Sequence, residues 1–128
     1  MKSISKSIYW VEKEGLLDVV TGISGSGPAY FFLMVEALEN AGVELGLPLD
    51  VARGLAAQTC LGAGKMLTTS SDSPAELRRK VTSPKGTTEA AIKSFEDDNV
   101  RAVIANAVKA ATNRGDELGR ILGSQVSA

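Results

Sequence analysis

The chain has 128 residues, 14 Lys and Arg against 15 Asp and Glu, no His and a single cysteine, Cys60. Without imidazole it cannot build a Ser-His-Asp or Cys-His nucleophile or a His-containing metal site, and one thiol excludes an internal disulfide and a four-cysteine metal cluster. A net charge of −1 with the signs interspersed leaves no electrostatic footprint for nucleic acid or an anionic membrane, while 13 Gly and 16 Ala against 5% aromatics point to closely approaching helices.

In chain order, Ser7-Ile8-Tyr9-Trp10-Val11-Glu12 reads as one short strand, rich in β-branched and aromatic residues. A lone strand must pair with another chain, pack as an arm, or belong to a domain that is absent here. Lys2 and Lys6 are followed by no apolar stretch long enough for a signal peptide. Leu16 to Ile23 leads into Ser24-Gly25-Ser26-Gly27-Pro28, where the glycines are expected to break regular structure, with Ser26 as N-cap and Pro28 in the first turn of a helix. That helix is expected to run to about Leu45 and stop at Gly46. Its first half, Ala29 to Val35, is apolar on every face, so other helices or a second subunit must enclose it. It is also the longest unbroken apolar run, short of the ~20 residues of a membrane span.

A second helix follows the Gly46-Leu47-Pro48 corner and continues to about Leu67. Ala56, Cys60 and Gly64 share one face of it, and Gly54 and Gly62 add gaps at which neighbours are expected to sit close. Ser73-Pro74-Ala75-Glu76 is a capping box opening a short helix to about Val81. After an interruption at residues 82–88, Glu89 to Phe95 forms the next helix and Asn99 caps the last. That helix keeps apolar spacing from Val100 to Leu122, with the tail 123–128 expected to fray. The predicted fold class is all-α, a bundle of about five helices plus the orphan strand, in a soluble cytoplasmic protein with no membrane partner.

Two glycine-rich places invite a nucleotide reading and fail it. Gly22 to Gly27 has Ser24 where the third position of G-x-G-x-x-G needs glycine, and it lacks a flanking strand-helix-strand unit. Thr59 to Met66 has Thr where a phosphate loop needs its first Gly and Met where it needs Ser or Thr. The Thr82-Ser83-Pro84-Lys85-Gly86-Thr87-Thr88 segment is the stronger candidate. It places four hydroxyls, a rigid proline, a permissive glycine and a cation at a helix start, where free N–H groups favour a carboxylate or phosphate; an ordinary capped connection is the alternative. Glu36, Glu39, Glu44, Asp97 and Asp98 read as solvated faces and caps, and Cys60 as a small core residue.

Three stretches carry a resemblance: Asp18 to Tyr30, the Gly46-Leu47-Pro48 corner, and above all Glu76-Leu77-Arg78-Arg79-Lys80-Val81-Thr82-Ser83-Pro84-Lys85-Gly86-Thr87-Thr88-Glu89-Ala90-Ala91. They closely resemble the C-terminal domain of pyrroline-5-carboxylate reductase, from about Tyr9 to Leu118. The resemblance implies reduction of 1-pyrroline-5-carboxylate to proline with NADPH or NADH, the dinucleotide being held by an N-terminal Rossmann domain. It implies a helical domain that interlocks with a second copy as a homodimer and often assembles into rings. Residues 1–17 would then be a remnant of the last Rossmann strand and its linker, and residues 18–122 the dimerisation and substrate-loop domain.

By the same resemblance Thr82, Ser83, Lys85, Gly86, Thr87 and Thr88 form the substrate loop. Backbone amides and hydroxyls there would hold the carboxylate, and the catalytic Thr88 hydroxyl would reach the ring nitrogen. Ser24 to Tyr30 would shape the cleft beneath the cofactor domain. Lys85 departs from the family's usual Ser-Pro-Gly-Gly pattern. No residue here is expected to bind the cofactor or a metal, and the domain alone is expected to be inactive. A stand-alone, non-catalytic oligomerisation module is the alternative.

Overall fold

The computed structural model describes residues 14–127. The predicted strand at residues 7–12 lies outside them. Among the described residues the fold is all-helical, and the five expected helices are present with a further one before them: α1 (Glu14–Val20), a π-helical turn (Thr21–Gly25), α2 (Gly27–Glu44), α3 (Leu49–Thr69), α4 (Pro74–Lys80), α5 (Thr87–Asp97) and α6 (Val100–Ser127). The chain divides into two compact units, one made of residues up to Pro28 together with those from Asp98 onward, the other of Ala29–Asp97.

In the first unit, the glycines of residues 22–27 do not break the helix as expected. The chain widens instead by one residue, with the Ser26 N–H donating to the Thr21 carbonyl. The hydroxyls of Thr21 and Ser24 turn back onto the carbonyls of Leu17 and Val20 at 3.1 and 2.9 Å, supplying donors where the helical register shifts. Ser26 has helical dihedrals, φ −86° and ψ −19°, so it is not the extended N-cap the sequence suggested. The turn packs closely on α6: a Cβ at Gly22 would lie 2.9 Å from Thr112 Oγ1 and 3.1 Å from the Val108 carbonyl oxygen. One turn along α6, Gly115 admits the Asp18 carboxylate in the same way. α6 runs on to Ser127, past the Leu122 at which its apolar spacing stops.

In the second unit, α2 ends where Gly46 takes φ 111° and the Leu47 N–H returns to the Gly42 carbonyl. α3 then folds back along α2. At Gly42 a Cβ would lie 3.2 Å from the Ala52 Cβ, and Ala52 and Ala56 are the buried apolar residues of the described chain. The close packing expected at Gly54, Gly62 and Gly64 is not made among the described residues, since none of them approaches within 4 Å of the space a Cβ would fill. Large apolar side chains remain exposed to match, Phe32 at 72% and Leu33 at 66% on α2 and Leu61 at 63% on α3.

The helical run Leu16–Glu44, 29 residues, is long and apolar enough to cross a membrane by length and composition alone, which the short run Ala29–Val35 did not suggest. A helix buried between subunits passes the same test. Asn99 stands before α6 as expected and accepts the Val103 N–H on its carbonyl, but with a left-handed φ of 59° rather than the usual extended N-cap conformation.

Candidate functional site

The segment from α4 to α5 is built by a chain of local satisfactions. Ser73 caps α4 as predicted: its Oγ accepts the Glu76 N–H at 3.2 Å and donates to Glu76 Oε1 at 3.1 Å. Arg78, Arg79 and Lys80 occupy the last turn, where cations complement the helix dipole, and Lys80 also pairs with Asp72. Thr82 closes the helix, its hydroxyl donating to the Arg78 carbonyl at 2.6 Å and its N–H to that of Arg79. The Thr82 hydroxyl is thus spent as a donor on the backbone.

Ser83-Pro84-Lys85-Gly86 then forms a tight turn, closed by the Gly86 N–H on the Ser83 carbonyl at 3.1 Å. Proline at the second position and a φ of 61° at Lys85 in the third are the signature of a type II turn. That third position favours glycine, which gives the departure at Lys85 a physical meaning: the lysine adopts a conformation that L side chains avoid. Gly86 is the residue before α5 and accepts the Ala90 N–H on its carbonyl. Having no side chain, it leaves the first-turn N–H groups uncapped, whereas Ser, Asp or Asn in its place would fold over them. A Cβ at Gly86 would also press on the Ser83 carbonyl at 3.2 Å.

The N–H groups of Thr87 and Thr88 therefore open α5 without a partner among the described residues. The Thr88 hydroxyl, half-buried, and those of Thr87 and Ser83, exposed, likewise take none there. The structure brings Ser83, Lys85, Gly86, Thr87 and Thr88 together around one helix start, and such a start favours an anion. Sequence reasoning missed Glu89, whose Oε1 accepts the Lys85 N–H at 3.2 Å. Its position four residues after Lys85, behind a glycine without a capping side chain, is the signal that was available.

A second feature of the same unit is an apolar groove of about 880 Å³ along α2 and α3, lined by Phe32, Val35, Ala57, Cys60, Glu39 and Arg53 among others. Glu39 is not the freely solvated carboxylate the sequence suggested. Arg53 reaches it with Nε to Oε1 at 2.8 Å and Nη2 to Oε2 at 3.1 Å. Those hydrogen bonds hold the Glu39 carboxyl below the usual carboxylate range and push the Arg53 guanidinium upward. Cys60 is half-covered within the groove.

Among the described residues, fold and site together define an all-helical domain that leaves its own helix faces uncovered and opens α5 with unpartnered N–H groups. The comparisons with known proteins say which domain that is. Residues 14–118 match the family model described as pyrroline-5-carboxylate reductase dimerisation. The chain is 52% identical to a pyrroline-5-carboxylate reductase of Pseudomonas aeruginosa over 89% of its own length and 42% of that protein's. It is 48% identical to the Pisum sativum enzyme over 85% and 40%.

Among solved structures it superposes on the Coxiella burnetii reductase with a TM-score of 0.82 at 47% identity, over 85% of this chain and 40% of that one. The Plasmodium falciparum pyrroline carboxylate reductase, solved with NADP bound, gives 0.79 at 35% identity, over 84% and 44%. The chain belongs to the pyrroline-5-carboxylate reductase dimerisation-domain family and spans about two fifths of the length of these relatives. The two glycine-rich segments do not have the form of a dinucleotide loop: Gly22 and Gly25 lie in the π-helical turn, Gly62 and Gly64 inside α3, and no described strand leads into either.

Proposed function

We propose that the chain supplies the dimer interface and the substrate-carboxylate loop of a pyrroline-5-carboxylate reductase, the enzyme that reduces 1-pyrroline-5-carboxylate to proline with NADPH or NADH. The observation that carries this reading is the hydrogen-bonded Ser83–Gly86 turn, which leaves the Thr87 and Thr88 N–H groups without a partner among the described residues at the start of α5. They would bind the substrate carboxylate, helped by the positive end of the helix dipole and the Lys85 cation. Thr88, half-buried one residue further on, would donate its hydroxyl hydrogen to the ring nitrogen and polarise the C=N bond at the carbon to be reduced. Dinucleotide binding falls to the part of the relatives that this chain does not match, so the chain alone is inactive. The setting is cytoplasmic.

The exposed apolar faces of α2 and α3 support a homodimer in which helices of a second copy fill the groove around Phe32 and Cys60. The family's rings would be built from such dimers. The same faces would also serve a non-catalytic module that joins full-length reductase. Mixing the chain with full-length enzyme separates the two, since heterodimers favour the module.

Titrating the ¹⁵N-labelled chain with L-proline tests the loop. Amide shifts at Thr87 and Thr88 are expected, and their absence at millimolar proline reduces the segment to a capped connection. Thr88→Ala in a reductase that carries this domain should lower kcat about 10²-fold or more, as for loss of a positioned proton donor, with dimerisation intact. Turnover of pyrroline-5-carboxylate with NADPH by the isolated chain would overturn the division of labour.

A further inference from the structure

Glu89 is the third residue of α5, and a glutamate there usually reaches back to the N–H of the residue before the helix. In this chain that N–H, on Gly86, is already donated to the Ser83 carbonyl, and the Glu89 carboxylate reaches one residue further back, to the Lys85 N–H at 3.2 Å. Its partner is therefore the one residue of the turn held at positive φ without being glycine. We propose that Glu89 is a positioning residue of the carboxylate loop: it holds Lys85 in the left-handed conformation the turn requires, and so keeps the Thr87 and Thr88 N–H groups open to the ligand. The proposal rests on the carboxylate-loop reading given above.

The physical case is one of competing conformations. A lysine at φ 61° gains by relaxing to negative φ, and relaxation would rotate the peptide groups that lead into α5. A carboxylate accepting the Lys85 N–H opposes it with a charge-assisted hydrogen bond. Because Glu89 sits on α5 itself, the bond ties the turn to the helix that carries Thr87 and Thr88. A negative charge beside an anion site would repel the ligand, and Lys85 carries a positive charge in the same turn. Glycine at position 85 would hold the turn without help, so the two positions are coupled: Glu89 is needed because Lys85 is not glycine.

The test uses the ¹⁵N-labelled 128-residue chain as wild type, Glu89→Ala, Glu89→Gln, Lys85→Gly and the Lys85→Gly/Glu89→Ala double variant. The readouts are hydrogen exchange at residue 85 and the L-proline dependence of the Thr87 and Thr88 amide shifts. Glu89→Ala should speed Lys85 exchange about tenfold and weaken proline binding about fivefold, as for loss of one charge-assisted hydrogen bond. Glu89→Gln keeps an acceptor without the charge and should fall between wild type and Glu89→Ala. In the Lys85→Gly background, Glu89→Ala should change binding by less than about twofold. Unchanged Lys85 exchange in Glu89→Ala, or equal weakening in both backgrounds, overturns the positioning role while the carboxylate site stands. No proline-induced shift in the wild type overturns the site itself, and the positioning role with it.

Discussion

Arg53 grips Glu39 through two parallel hydrogen bonds of 2.8 and 3.1 Å, and the two residues stand seven positions either side of Gly46. The pair locks the α2–α3 hairpin at the level of the apolar groove. Folding lowers the Glu39 pKa from its usual 4.5, chiefly through the Arg53 hydrogen bond. The pair therefore stabilises the fold fully above that value and loses its contribution as pH falls through the lower, folded one. The Tm difference between wild type and Arg53→Gln should be constant from neutral pH to about 5 and shrink as the pH falls further, through the lowered Glu39 pKa. A pH-independent difference would mean that Arg53 acts through packing alone.

Gly22 tests the contact between the π-helical turn and α6. Gly22→Ala would drive a methyl to 2.9 Å from Thr112 Oγ1 and 3.1 Å from the Val108 carbonyl. A destabilisation of about 1–3 kcal/mol is expected by urea denaturation. Thr112→Ala should recover part of it in the double variant and Thr112→Ser should not, because the serine keeps the oxygen.

Lys85 carries the opposite prediction. At φ 61°, Lys85→Gly should stabilise the chain by about 0.5–1 kcal/mol, the relief of left-handed strain outweighing glycine's extra freedom when unfolded. Lys85→Val should destabilise it, because a β-branched side chain fits that conformation worse than lysine does. Denaturation midpoints of the three proteins give the order, and a Lys85→Gly protein no more stable than wild type would contradict the strained turn.

Phe32 is 72% exposed on a helix whose first half is apolar all round. Light scattering at micromolar concentration should give twice the 13.4 kDa of one chain, and Phe32→Asp should shift that mass to the monomer. A wild-type monomer would remove the basis for reading the α2 face as an interface.

The helices were legible at most of their local signals, Ser26 being an exception. The Ser73–Glu76 capping box, the Gly46 stop and the Pro84–Gly86 interruption each act within four residues, and the structure places all three as the sequence indicates. The π-helical turn was not legible, because the glycines at 22–27 read as helix breakers until Val108 and Thr112 show what Gly22 must admit. The glycines of α3 show the converse. Their number suggested close packing, yet among the described residues nothing comes within 4 Å of the space a Cβ would fill at Gly54, Gly62 or Gly64.

By itself the sequence determined the helices, the family and the loop that carries Ser83 to Thr88, since those rest on short-range chemistry and on a motif contiguous in the chain. Only the tertiary structure decided which hydrogen-bonding groups of that loop are already used. The Thr82 hydroxyl, the Gly86 N–H and the Lys85 N–H are taken by Arg78, Ser83 and Glu89, which leaves Thr87 and Thr88 open. It decided, too, that Glu39 answers to Arg53 across the hairpin. Such pairings depend on distance in space, and a residue type announces what it can bond to without naming its partner.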